Sequence, residues 1–108
     1  MVQRIWHGYT TLENADAYEN LLINEIMPGI ADKQIPGYLG MQILRRISEE
    51  CNDEVEFISI MNFSKLEDIT GFMGKDYAVA NLPEKAVKLM KRYDTRSQHY
   101  DIRDQKEY

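Results

Sequence analysis

The sequence predicts a single α+β domain in which helices cover one face of an antiparallel sheet. Its 108 residues are the length of one ordinary domain, and 44% of them are hydrophobic, which is enough to form a core. Segments of alternating hydrophobicity and segments of helical spacing follow one another, without repeats or low-complexity stretches. We therefore predict one domain over residues 1–108, in which the polar residues 104–108 form a frayed tail.

The first half of the chain predicts a strand, a helix and a second strand. Residues 2–9 carry β-favouring side chains and predict the first strand. Residues 10–13 form a capping box that predicts the start of a helix, and Pro28-Gly29 predicts its end. After a loop, residues 38–47 alternate in hydrophobicity and predict the second strand.

The second half predicts a third strand, a helix in two pieces and a last strand. Residues 55–63 predict the third strand, which is apolar on both faces. Residues 64–67 form another capping box, which predicts a short helix. Pro83 suits the first turn of a second helical piece, whose apolar spacing continues to Tyr93. Residues 96–103 predict the last strand.

This order of elements is that of a ferredoxin-like βαββαβ fold, whose helices cover only one face of the sheet. Ile58 and Ile60 lie on the other face, beside either Leu44 or part of the apolar row in residues 39–43. An apolar face without helices is typical of an interaction surface, and two-fold symmetry allows the same patch on a second copy to cover it. We therefore predict a homodimer packed sheet against sheet. The alternative is that the C-terminal tail or a loop covers this face, and the tail is too polar for that.

Composition disfavours several classes of protein. The formal net charge of −5 disfavours a nucleic-acid partner, because phosphate binding needs a basic face. No apolar run approaches the roughly 20 residues that span a bilayer, and the first residues lack the pattern of a signal peptide. The single Cys51 excludes an internal disulfide and fits a reducing compartment. We therefore expect a soluble cytoplasmic protein without a membrane partner.

The two histidines are the candidate catalytic residues, because the sequence has no cofactor or metal motif. It contains no glycine-rich nucleotide loop and no Cys and His cluster with zinc spacing, so we expect no cofactor and no metal. Antiparallel pairing of the first and last strands places His7 nearly opposite His99. Such a pair titrates near neutral pH and is suited to proton transfer or to orienting a polar ligand. The alternative is that each histidine bonds a backbone carbonyl or faces water.

Aromatic residues are the second candidate group, with seven tyrosines, three phenylalanines and one tryptophan. Several of them fall on elements that bound the space between helices and sheet: Tyr9, Tyr18, Phe57, Phe63, Phe72, Tyr77 and Tyr93. An aromatic-lined cavity in that space would bind a flat apolar ligand with a few polar anchors. The alternative is that these side chains only fill the core.

Several short motifs follow one another along nearly the whole chain. They are Arg4-Ile5-Trp6-His7-Gly8, Thr10 and Thr11, Asp16-Ala17-Tyr18, Pro36-Gly37, Leu44-Arg45-Arg46 and His99-Tyr100. In this order the chain resembles the antibiotic biosynthesis monooxygenase (ABM) superfamily. The resemblance implies a dimeric α/β barrel with a pocket between sheet and helices in each subunit.

The resemblance also implies candidate functions. Some ABM members oxidise aromatic polyketides with dioxygen and without metal or flavin, and others degrade haem. The haem-degrading members use an Asn, a Trp and a His where this chain has His7, Phe63 and Asn81, which disfavours haem degradation. We therefore expect a cofactor-independent monooxygenase acting on a small aromatic or quinol-like compound. The alternatives are a non-catalytic or stress-related dimer that binds a small ligand, and a structural dimer with a filled core.

The monooxygenase model implies roles for individual residues, because the deprotonated substrate itself would reduce oxygen. His7 would be a base or an anchor, and His99 is the second catalytic candidate. Trp6 or Tyr9 would stack on the substrate and Phe63 would form a wall. The full predicted set of substrate-binding residues is Trp6, Tyr9, Phe63, Tyr77 and Asn81.

Overall fold

One antiparallel sheet of five strands organises the chain. The computed structural model describes residues 1–108. Its strands are β1 (Val2–Thr11), β2 (Tyr38–Arg45), β3 (Glu54–Phe63), β4 (Met90–Tyr93) and β5 (Gln98–Asp101). The order across the sheet is β2-β3-β1, and β4 and β5 both pair with the remaining edge of β1. The α+β class is therefore confirmed, and the strand order is compatible with a ferredoxin-like fold.

The helices connect these strands on one side of the sheet. They are α1 (Ala15–Leu21), a π-helical turn (Leu22–Ile26), α2 (Met27–Asp32), α3 (Leu66–Met73) and α4 (Glu84–Val87), with a 3-10 turn at Ser48–Glu50. Residues 15–32 form one continuous helical stretch, so its predicted end at Pro28-Gly29 is wrong. The π-helical turn shifts the hydrogen-bond register, which places Pro28 in the first turn of α2, where it needs no N–H donor.

Both predicted capping boxes lie in the correct turn, but other residues than the predicted ones form the capping hydrogen bonds. β1 continues to Thr11, so Thr10 belongs to the strand, and the Thr11 hydroxyl accepts the Asn14 N–H at 3.2 Å. Before α3, the carboxylate that accepts the Lys65 N–H at 3.2 Å belongs to Asp68 and not to Glu67. A short polar motif thus locates a turn, while the exact cap depends on where the preceding strand ends.

The helix predicted through Tyr93 is wrong. It ends at Val87, and Met90–Tyr93 forms β4, which pairs with residues 8–10 of β1. β5 is shorter than the predicted strand at residues 96–103 and pairs only with residues 2–5 of β1. Without β4, the rest of this edge of β1 would have unpaired backbone groups. A long-range pairing therefore overrides the local helical spacing.

Alternation in β1 and β3 gives the sheet a covered face and an open face. On the covered face, side chains pack with the helices in two clusters, one around Trp6, Tyr18 and Phe57 and one around Val2, Phe63 and Ile69. On the open face the side chains are half-buried, and those of β1 and β3 are Gln3, Ile5, His7, Tyr9, Thr11, Glu54, Glu56, Ile58, Ile60 and Asn62. No helix lies over them.

The structure decides between the two apolar rows of β2. Leu44 pairs with Ile58 and Gln42 pairs with Ile60, so these β2 residues share the open face. Met41 pairs with Met61 on the covered face. A bulge between Tyr38 and Gly40 sets this register. Leu44 is therefore the β2 residue that extends the open apolar patch.

Gly71 offers a test of helix stability. It lies inside α3, and a Cβ built on it would meet no atom within 4 Å. Gly71→Ala is expected to stabilise the fold by about 0.4–1 kcal/mol, because alanine restricts the unfolded chain without a clash in the folded one. Urea unfolding should show a higher midpoint with an unchanged m value. A lower midpoint would contradict the prediction.

Candidate functional site

A cleft lies between the helical stretch of residues 15–32 and the covered face of the sheet. Its outer part has a volume of about 580 Å³. The hydrophobic residues of this part are Leu21, Ile26, Ile30, Met61, Phe72 and Met73. A smaller inner chamber of about 110 Å³ lies beside Trp6 and Tyr18. Arg4, Ile26, Met61, Asn81 and Pro83 line both parts, so the outer part and the inner chamber adjoin each other.

The π-helical turn shapes one wall of the cleft. Leu22 and Ile26, at its two ends, both line the inner chamber, and Leu21 lines the outer part. A π-helical turn is wider than an α-helical one, and such turns are frequent at functional sites. The turn therefore places apolar side chains over the sheet.

The floor of the cleft carries a buried guanidinium. Arg4 lies on β1 and is only 6% exposed. Its Nη1 donates to the carbonyl of Tyr77, and its Nη2 donates to the carbonyl of Val79 at 3.1 Å. Burial lowers the pKa of Arg4, but a guanidinium stays protonated at neutral pH. None of its partners is a carboxylate, so the floor carries a positive charge without an ion pair.

His99 contacts this guanidinium. Its Nε2 lies 2.9 Å from Nη1 of Arg4. Because arginine can only donate, Nε2 accepts this hydrogen bond, and the neutral ring carries its proton on Nδ1. Burial and the nearby charge of Arg4 lower the pKa of His99. The ring also packs edge-on against Tyr77, with the ring centroids 4.9 Å apart.

The neighbouring serines and Asn81 add polar groups to the cleft. Ser59 and Ser97 are both buried and line the inner chamber, while Asn81 lines both parts. Sequence reasoning missed Arg4 and both serines. A signal was present for two of them, because Arg4 is the one charged member of the covered row on β1 and Ser59 is the one polar member of that on β3.

The predicted pairing of His7 with His99 is wrong. The register places His99 opposite Arg4, three residues from His7. An odd shift moves a side chain to the other face of a sheet, so the two histidines lie on opposite faces. His7 lies on the open face, and its Nδ1 is 2.9 Å from Oδ2 of Asp94. The same carboxylate oxygen accepts the backbone N–H of His7 at 3.0 Å.

The predicted substrate-binding residues are divided between four places. Trp6 and Asn81 line the cleft. Tyr9 lies on the open face, with the Arg92 guanidinium 3.6 Å from its ring centroid. Phe63 is fully buried in the core and packs on Tyr38. Tyr77 lies behind the floor, where its carbonyl accepts from Arg4 and its ring packs on His99.

No protein-family model matches the chain, and no curated protein is similar enough to match it. The structure brings together no group of three or more His, Cys, Asp or Glu side chains that could hold a metal ion. It also contains no helix with the length and apolar character needed to cross a membrane. The resemblance to the ABM superfamily stays a prediction, and the chemistry of the cleft follows from its own residues.

The lowered pKa of His99 predicts a dependence of stability on pH. In the unfolded chain a histidine titrates near pH 6.5. The unfolded state therefore binds more protons than the folded state as the pH falls below about 7, and folding stability is lost through this range until the folded pKa is passed. His99→Gln keeps an acceptor for Arg4 but cannot be protonated.

Urea midpoints at pH 5, 6 and 7 test this dependence. The wild type should lose stability towards pH 5, and His99→Gln should lose less. His7→Gln is the matched control, since it removes the other histidine and leaves His99 beside Arg4. An equally steep decline in His99→Gln and the wild type would contradict the assignment.

Proposed function

We propose that the protein binds a small, flat, apolar molecule in the cleft. The observation that carries this proposal is the space between helices and sheet, about 580 Å³ in its outer part, where 6 of the 13 lining residues are hydrophobic. Sites for small molecules are typically about 300–1,000 Å³ and apolar, with a few polar groups that orient the ligand. A structural dimer with a filled core is disfavoured, because side chains leave this space open.

Oxidation of the bound molecule by dioxygen, without a cofactor, is the catalytic form of the proposal. It is favoured by the polar pair at the floor, where burial lowers the pKa of both Arg4 and His99. Arg4 lines the cleft and His99 contacts it from outside the cleft, and a perturbed charged group in a cleft is typical of sites that stabilise charge on a substrate. A ring CH₂ group would lose both hydrogens, one oxygen atom would enter as a carbonyl, and the other would leave as water.

This reaction needs no external reductant, because the substrate supplies all the electrons. The chain would bind the substrate, exclude water and stabilise its ionised form through Arg4. His7 has no part in this form of the proposal, because it lies on the opposite face of the sheet from the cleft. A non-catalytic protein that binds the same ligand remains the alternative.

A variant that fills the cleft tests the binding proposal. Gly29 lies on α2 and lines the outer part, and a Cβ built on it would meet no atom within 4 Å. Gly29→Leu is expected to fold and to weaken binding of anthrone or a naphthol at least about tenfold, because its side chain occupies ligand space. Trp6 is the only tryptophan and lines the inner chamber, so its fluorescence reports binding.

Gly71→Leu is the matched control, since Gly71 is also helical and open but does not line the cleft. It should bind as the wild type does. Equal affinity in Gly29→Leu and the wild type would show that the ligand does not bind in the cleft. Oxygen uptake with the same compounds tests catalysis separately, and an absence of uptake despite binding would leave the non-catalytic alternative.

We infer further that the open face pairs with the same face of a second copy, as in a dimeric α/β barrel. Ile5 pairs with Ile60, and Leu44 and His7 flank Ile58 on either side. Neutral polar side chains lie at one end of this patch, namely Gln3, Gln42, Asn62, Gln98 and Tyr100, and the charged Glu56 and Arg92 lie at the other. An apolar centre with a polar rim is typical of an interface, and a two-fold axis makes it self-complementary. The C-terminal residues 104–108, the alternative cover for this face, are themselves exposed.

A further inference from the structure

The charged residues of the cleft have the opposite sign to the chain as a whole. The sequence has a formal net charge of −5. Three cationic side chains line the cleft, those of Arg4, Lys33 and Lys85, but only one acidic side chain, that of Glu25. A concave site with an excess of one charge concentrates ions of the other sign. The cleft therefore attracts anions, although the protein is acidic.

Arg4 has hydrogen-bonding capacity that the chain does not use. A guanidinium has five N–H donors. Three hydrogen bonds engage it, to the carbonyls of Tyr77 and Val79 and to Nε2 of His99. Two N–H groups therefore have no partner. The three partners fix the plane of the guanidinium, but all of them are neutral and none offsets its charge.

A fixed guanidinium with two free donors matches one chemical group in particular. Carboxylates accept two parallel N–H···O bonds from arginine, and the charged pair is stronger than a bond between neutral groups. The two buried serines, Ser59 and Ser97, place further hydroxyl donors in the inner chamber. A buried cation without a partner is costly for a folded protein, and a bound carboxylate offsets that cost.

We propose that the cleft selects apolar carboxylic acids, and aromatic carboxylates in particular. Arg4 binds the carboxylate at the floor, while the apolar body of the ligand packs between the helical stretch and Met61. Lys33 lines the outer part, through which the anion enters, while Lys85 is paired with Glu25 at 3.4 Å. This inference rests on the proposed function, because it names the class of molecule that the cleft binds.

Two ligands of the same shape test the inference on the unmodified protein. 2-Naphthoate and 2-naphthamide differ in charge but share the ring system. The acid should bind about 10- to 100-fold more tightly at pH 7, as expected for hydrogen bonds to a charged group. Isothermal titration calorimetry gives both dissociation constants, and Trp6 fluorescence places both ligands in the inner chamber.

Charge-removing variants assign the preference to Arg4. Arg4→Gln should lower the affinity for the acid until it equals that for the amide, while the affinity for the amide changes little. Lys88→Gln removes one positive charge from an exposed position outside the cleft and should keep the wild-type ratio. If Arg4→Gln does not fold, the comparison of acid and amide on the wild type still tests whether the cleft prefers a carboxylate.

The outcomes separate the two levels of the proposal. Equal binding of acid and amide, with both weakened in Gly29→Leu, would overturn the carboxylate inference and keep the proposed function. Binding of neither ligand would overturn both. Tighter binding of the acid that persists in folded Arg4→Gln would also overturn the inference, because Arg4 would then serve only to hold the segment at Tyr77 and Val79.

Discussion

Ile60→Asp is expected to dissociate the proposed dimer into monomers. Ile60 lies on β3 between Ile5 and Gln42, in the centre of the open face. In the proposed dimer, the new carboxylate would be buried against the same apolar patch and close to its symmetry mate. A buried charge without a partner costs several kcal/mol, so the dissociation constant should rise about 100-fold or more.

Light scattering over a range of concentrations measures this change as a halving of the molecular mass. Ile47→Asp is the matched control, because Ile47 is 63% exposed and lies beyond the end of β2. It should leave the mass unchanged. A wild type that is monomeric at high concentration would refute the dimer directly, and an Ile60→Asp protein that stays dimeric would place the interface elsewhere.

Gly8→Ala is expected to destabilise the fold by about 1–3 kcal/mol, as inserted methyl groups do in well-packed cores. A Cβ on Gly8 would lie 2.4 Å from Cη2 of Trp6 and 2.9 Å from Sδ of Met90. The indole cannot move away easily, because its Nε1 donates to the carbonyl of Asp94 at 2.8 Å. Substitution by alanine should therefore lower the free energy of unfolding at Gly8 and raise it at Gly71.

Urea unfolding of both variants measures the two effects. The displaced indole should also change the emission of Trp6 in the folded Gly8→Ala protein. Gly71→Ala controls for the general effect of alanine on the unfolded chain, since only Gly8 faces a packed ring. A Gly8→Ala protein as stable as the wild type would mean that Trp6 can repack, and the inner chamber beside it would then be adaptable.

The sequence was sufficient for those parts of the fold that depend on local patterns. Alternation on β3 predicted a strand that is apolar on both faces, and the structure places Phe57 on the covered face and Ile58 on the open face. It did not predict β4, because helical spacing near Met90 is overridden by pairing with β1. Nor could it place Leu44, since the bulge after Tyr38 sets the register of β2.

The candidate site was predictable in location but not in its chemistry. Trp6 and Asn81 line the cleft where an aromatic cavity was expected. The histidines drew attention because their titration range suits catalysis, but the register of β5 separates them. Arg4 carries the charge of the floor, and its position as the one charged member of the covered row was the available signal. Charged residues are rarely buried unless they are paired, so an arginine without an ion pair on a covered face is unusual for its residue type.

The position of β1 has a consequence for how the chain folds. β1 is the first segment of the sequence but the central strand of the sheet, and its partners reach as far as the pairing of Val2 with Asp101. Such distant contacts raise the contact order, which slows folding because long loops must close first. During synthesis, β1 cannot complete its pairing until Asp101 has left the ribosome. The sheet therefore assembles late, around the strand that is synthesised before the other four.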